Sequence, residues 1–170
     1  VLLNAAGEES VPVRRAAVLA LRETIAQQPH YMEPVVEEFL LTTDASRRGN
    51  LARVLESKLE YFLYRVNSDR YPTVKALIVE LARIRRLSVI FGFLERNRGP
   101  EIEDAILDIL YGIVNDDPGV EEICTRYLSA RLLDKLGLEK RELASTKKSV
   151  PLKRGDRRLL TSLFVLIILY

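Results

Sequence analysis

Residues 72–98 read PTVKALIVELARIRRLSVIFGFLERNR, the longest stretch of this chain with an uninterrupted helical pattern. Apolar residues recur at three- and four-residue steps, at Val74, Leu77, Leu81, Ile84, Leu87, Phe91 and Leu94. That spacing lays one stripe along a helix of 3.6 residues per turn. Pro72 suits a first turn, where its missing N–H would have no partner in any case. Gly99-Pro100 ends the pattern, because Gly tolerates a left-handed cap and Pro cannot continue a helix. A single helix over the stretch would be a rod of roughly 40 Å. Its last part, LSVIFGFL, is apolar on nearly every side, so neighbours should cover more than one face. Arg83, Arg85 and Arg86 make its middle basic. The expectation is one central, buried helix.

Helices are expected on both sides of it. Residues 1–6 read as the end of a helix closed by Gly7, and Ser10-Val11-Pro12 opens another that Pro29 ends. Residues 31–41 form a short amphipathic helix with Met32, Val35, Val36, Phe39 and Leu40 inward. Asp44 can cap a helix over residues 45–66, whose stripe is Leu51, Val54, Leu55, Leu59, Phe62, Leu63 and Val66. Downstream, residues 101–114 begin with Glu101, Glu103 and Asp104, which favour the positive end of a helix dipole. Asp117 caps a last helix that starts at Pro118, reaches about Leu136 and is closed by Gly137. No run alternates apolar and polar residues over a strand length, and no Asn-Gly or Asp-Gly hairpin turn occurs. The fold class is all-α.

Val13-Arg14, Ala16-Ala17, Ala20-Leu21 and Ile25 resemble the inner helix of a HEAT repeat, with its Val-Arg, Ala, Ala-Leu and aliphatic positions. Val74-Lys75-Ala76 with Leu81-Ala82 and Ile84 is similar, with Lys in place of Arg. Such units recur at about 40–47 residues. The 46 residues from Val74 to Val120 fit that period, and the 61 from Val13 to Val74 do not. The resemblance implies antiparallel helix pairs stacked as an irregular HEAT-like α-solenoid over residues 1–139, with an irregular helical bundle as the alternative. It also implies a non-catalytic scaffold, because each stacked unit leaves part of an extended face free for another protein.

The net charge of the 170 residues is +2, but it is segregated. Residues 140–158 hold eight basic side chains against two acidic ones, a net +6 that leaves −4 for the remainder. Residues 101–122 carry eight acids and no base. That acidic segment suits a basic partner, through Glu101, Asp104 and Asp108. The stretch 140–158 reads as a basic linker whose Lys147, Lys148, Lys153, Arg154, Arg157 and Arg158 suit an acidic partner or an anionic membrane surface. Residues 159–170, LLTSLFVLIILY, carry no charge. As a helix they would span about 18 Å against a hydrocarbon core of about 30 Å, so they are a packed terminal helix or the start of a membrane segment. The chain opens on Val1 without Met and stops inside this run, so it is expected to be a piece of a longer protein. Nucleic acid is disfavoured, since no aromatic residues interleave the basic stretch; its route would be the surface from Arg83 to Arg98 and the tail.

Residues for catalysis are scarce. His30 is the sole His and stands between Pro29 and Tyr31 in a turn, without a Ser or Cys at a recognisable spacing. Cys124, the sole Cys, excludes an internal disulfide, fits a reducing compartment, and falls on the inward side of its helix, where a thiol is inert packing. Asp104 and Asp108 share a helix face, but no His stands near them and no calcium-loop motif occurs. There is no Gly-rich phosphate loop. The expectation is a cytoplasmic scaffold without enzymatic activity, metal, cofactor or small-molecule substrate. A chain reversal at Gly99-Pro100 would pair Arg96 with Glu103 or Asp104, and Arg83 or Arg86 with Asp116 or Asp117.

Overall fold

The structure, a computed structural model, describes residues 2–96 and 99–138. About 78% of these residues are helical, and there is no strand among them. Among the described residues ten α-helices follow one another: α1 (Leu2–Ala5), α2 (Val11–Gln27), α3 (Met32–Leu41), α4 (Ala45–Glu56), α5 (Glu60–Leu63), α6 (Tyr71–Arg83), α7 (Ser88–Arg96), α8 (Pro100–Asp116), α9 (Pro118–Tyr127) and α10 (Ala130–Lys135). A single 3₁₀ turn, Pro29–Tyr31, joins α2 to α3. Each helix packs on near neighbours in the chain. The contacts run α1 on α2, α2 and α3 on α4, α3 on α6, α6 on α8, α5 on α7, and α8 on α9.

Local chemistry sets most boundaries where the sequence places them. The Asp44 carboxylate accepts the Arg47 N–H at 2.8 Å, satisfying an otherwise unpaired donor of α4. Asp117 does the same for Gly119 of α9 at 3.0 Å. Its extended backbone also stops α8, since a residue before Pro avoids the helical region. After α10, Gly137 takes φ +65°, and Gly137 and Leu138 donate back to Asp134 and Leu133, closing the last carbonyls.

Three expected long helices are broken. The stretch 72–98 is not one helix: α6 ends at Arg83 and α7 begins at Ser88. Between them Arg85 adopts φ 60°, the left-handed region that favours Gly. Arg85 N–H donates to the Ala82 carbonyl at 2.9 Å and Arg86 N–H to Leu81 at 2.8 Å, the paired bonds of a Schellman cap. Residues 45–66 divide likewise, where Ser57 and Lys58 make i→i+3 bonds to Val54 and Leu55 between α4 and α5. The segment after Pro118 divides at Leu128, which is extended, so that α10 starts afresh behind Ser129. At that break the Glu95 carboxylate of α7 accepts the Ser129 N–H at 2.7 Å.

The apolar stripes survive these breaks. Val74, Leu77, Leu81, Leu87, Phe91 and Leu94 are all buried, though they are divided between α6, α7 and the elbow, and Ile84 at the elbow is half-buried. Phe39, Phe62 and Phe93 are fully buried, and Tyr64 meets Phe93 edge-on with ring centroids 5.0 Å apart. On α2 the buried stripe is narrower than the HEAT pattern implies. Ala17, Leu21 and Ile25 are buried, whereas Val13 is 44% exposed. Val13 continues the four-residue step of Ala17, Leu21 and Ile25, but it stands in the first turn of α2, beyond the last buried position of that line.

Candidate interaction surfaces

The acidic segment is largely engaged within the molecule. Glu103 is buried, and Arg131 grips it with two hydrogen bonds of 2.7 and 2.9 Å. Lys135 adds a third at 2.7 Å and reaches Asp104 at 2.8 Å. The Arg131 hydrogen bonds, then Lys135, hold the Glu103 carboxyl below its ordinary range, against the opposing pull of burial. Asp117 is also held low, first by Arg85, whose guanidinium forks onto it at 2.8 and 3.0 Å. The fork packs closely over Gly119, where a Cβ would stand 2.8 Å from an Arg85 nitrogen and would make the guanidinium shift. One acidic side chain thus caps α9 and pins the left-handed elbow between α6 and α7.

The expected pairs across the Gly99-Pro100 reversal do not form. Arg96 pairs with Glu60, Arg83 with Glu80 within α6, and Arg86 with Glu56 at 2.7 Å. The cause is competition: carboxylates of α6, α4 and α5 already hold Arg83, Arg86 and Arg96, so none of the three is left to face the acids after the reversal. Asp117 finds Arg85 instead. Arg83, Arg85, Arg86 and Arg96, the described cations of the basic surface expected for nucleic acid, are therefore all bound to carboxylates. Of the acidic site residues, Asp104 is tied to Lys135, while Glu101 and Asp108 stay exposed on α8. Lys147, Lys148, Lys153, Arg154, Arg157 and Arg158 lie outside the described residues, as do the basic linker and the apolar terminal segment.

His30 is exposed in the 3₁₀ turn with its ring against Tyr31, centroids 4.4 Å apart. Cys124 is fully buried, and burial pushes its thiol up to about 11, far from the reactive thiolate. Among the described residues no cluster of three or more His, Cys, Asp or Glu could hold a metal. No described helix is long and apolar enough to cross a membrane.

A surface not anticipated from the sequence lies at the other end. Between α2 and α4 runs an open groove of about 620 Å³. Arg14, Arg15 and Arg22 line it from α2, and Arg53 from α4. Arg14 donates to the carbonyls of Glu8 and Glu9 at 2.9 Å, bracing the start of α2. Arg15, Arg22 and Arg53 are exposed and make no ion pair among the described residues. The single acid in the lining, Glu56, is neutralised by Arg86. Val11, Val18 and Leu19 stand between the arginines, and Leu19 is 59% exposed. The sequence signal was present: Val11, Arg15, Val18, Leu19 and Arg22 recur at helical steps on one side of α2. Smaller apolar depressions lie along α3–α6 (about 510 Å³) and α7–α9 (about 390 Å³). No protein-family model matches the chain, and no curated protein or solved structure matches it.

Proposed function

We propose that the chain is a non-catalytic protein–protein interaction scaffold, with its helices stacked pairwise in a HEAT-like manner. The succession α3, α6, α8, each packed on the next, is what a stack of units that touch only their neighbours would give. The observation that carries the interaction reading is the open groove between α2 and α4. In the rest of the described body most charged side chains near a helix junction are matched to one another. In the groove, exposed aliphatic and basic side chains lie together and unmatched, as surfaces that await a partner do.

The test is photo-crosslinking in the native host, with a photoreactive residue placed in turn at Leu19 in the groove, at Asp108 on α8 and at Lys75 on α6. The expected result is a protein adduct of one defined mass from at least one position, competed by the same partner once purified. A chain that gives no protein adduct from any of the three would overturn the scaffold reading.

A further inference from the structure

We propose that the α2–α4 groove takes an acidic, amphipathic helical segment of a partner protein, which deepens the scaffold reading and rests on it. In such a segment two carboxylates seven residues apart face Arg15 and Arg22, and aliphatic side chains between them lie on Val18 and Leu19. The argument begins with spacing. Arg15 and Arg22 are seven residues apart on one continuous helix, two turns or about 10.5 Å along its axis. A partner helix lying along α2 meets both cations only if its acids repeat with the same step, so a seven-residue interval of Glu or Asp is selected. The lined part of α2, Val11 to Arg22, is three turns long, which sets a segment of about 12 residues.

The groove has two chemical halves, and each restricts the occupant. Arg53 faces α2 from the opposite wall, and the only acid present is already neutralised, so an uncharged or basic segment would leave three cations opposed by nothing. Val11, Val18 and Leu19 give the apolar half, which a purely acidic, disordered tail would leave uncovered. No aromatic side chain lines the groove, so it offers no platform on which a nucleic-acid base could stack.

Segments of this chain fit less well. Residues 140–158 are strongly basic and would be repelled, and residues 159–170 hold no carboxylate. A second copy would offer α8, where Glu101 and Asp108 are also seven apart, but between them only Asp104 is exposed, while Ile102 and Ala105 are half-buried against the core, which leaves no exposed aliphatic group for Val18 and Leu19. The partner is a different protein.

The experiment uses the full chain and a labelled, helix-forming peptide of 14 residues with Glu at two positions seven apart and Leu at the two positions midway. Fluorescence anisotropy is expected to show saturable binding. Arg15→Glu with Arg22→Glu should weaken it about tenfold or more at unchanged melting temperature, and a peptide with Lys at the two acidic positions should restore binding to that variant. Leu19→Ser should also weaken it. Three outcomes overturn the proposal: no saturation below millimolar peptide, equal binding of a Glu→Gln peptide, or tighter binding of a 12-nucleotide RNA or duplex DNA with a steep salt dependence. Concentration-dependent self-association in sedimentation that Glu101→Arg with Asp108→Arg abolishes would assign the groove to a second copy and overturn it as well. Crosslinks found only at Asp108 or Lys75 would sink the groove assignment while the scaffold reading stands.

Discussion

At the α8–α10 end, the buried Glu103 carboxylate is held by Arg131 and Lys135, and Lys135 also holds Asp104. At the α2–α4 end, Arg15, Arg22 and Arg53 point outward with no carboxylate against them among the described residues. The difference runs opposite to what charge counting suggests. Residues 101–122 carry eight acids and no base, yet Glu103, Asp104, Asp117 and Glu122 among them are paired within the molecule; residues 11–22 carry three bases and no acid, and leave Arg15 and Arg22 open. Net charge along a sequence records which ions are present. Whether they face solvent depends on which helix packs beside them, and α10, some thirty residues downstream, supplies the cations for α8.

The largest expected effect comes from removing the counter-charges at the closed end. Arg131→Met with Lys135→Met keeps much of the apolar stems but leaves Glu103 buried beside no cation. The melting temperature at pH 7 should fall by on the order of 5–10 °C, tempered because both cations are partly solvated. The sign of the pH dependence follows from the lowered Glu103 carboxyl. Its stabilisation is fully present above the unfolded carboxylate value of about 4.3 and is lost as pH falls through the lower folded value. The gap between wild type and variant should therefore narrow from pH 5 downward, and Glu103→Gln in the variant should recover most of the loss. A gap of constant size from pH 6 to pH 3 would assign the effect to lost side-chain packing and remove the electrostatic half of the comparison.

A smaller effect is expected at the elbow that separates the two ends. Arg85→Gly and Arg85→Ala both remove the fork to Asp117, so that loss cancels between them. Only Ala keeps a Cβ in the left-handed region, and the Gly variant should melt about 2–4 °C above it. Equal melting temperatures would mean that residue 85 does not hold φ 60° in solution.

That elbow also shows what the sequence could and could not reveal. The stripe Val74-Leu77-Leu81-Ile84-Leu87-Phe91-Leu94 marks the buried face at every position except Ile84, which is half-buried at the elbow, and the caps Asp44, Asp117 and Gly137 mark boundaries because their side chain or backbone freedom acts locally. The break at Arg85 left no such mark. Both halves face the same core, so the periodicity runs through it, and the left-handed residue is an Arg stabilised by a carboxylate 32 positions away rather than a Gly. Long-range partners likewise decided which acids close on the protein. Helical faces are properties of a local period; breaks and ion pairs here are properties of the assembled core, and only the former can be read one window at a time.

The smallest effect on stability should come from the open end, and its smallness is informative. Arg15→Gln, Arg22→Gln and Arg53→Gln together remove three cations that no described residue neutralises. Exposed charges without partners contribute little to folding, and relief of their mutual repulsion acts in the favourable direction. The melting temperature should stay within about 2 °C of wild type, or rise slightly, with the rise fading as salt screens the repulsion. A fall of several degrees would show that these arginines support the α2–α4 packing, through stems laid over Val18 and Leu19, and the contrast between a closed and an open end would lose its basis. A neutral result combined with lost peptide binding would separate the two roles cleanly: the carboxylates and cations of α8–α10 hold the fold, and those of α2–α4 are left for something outside it.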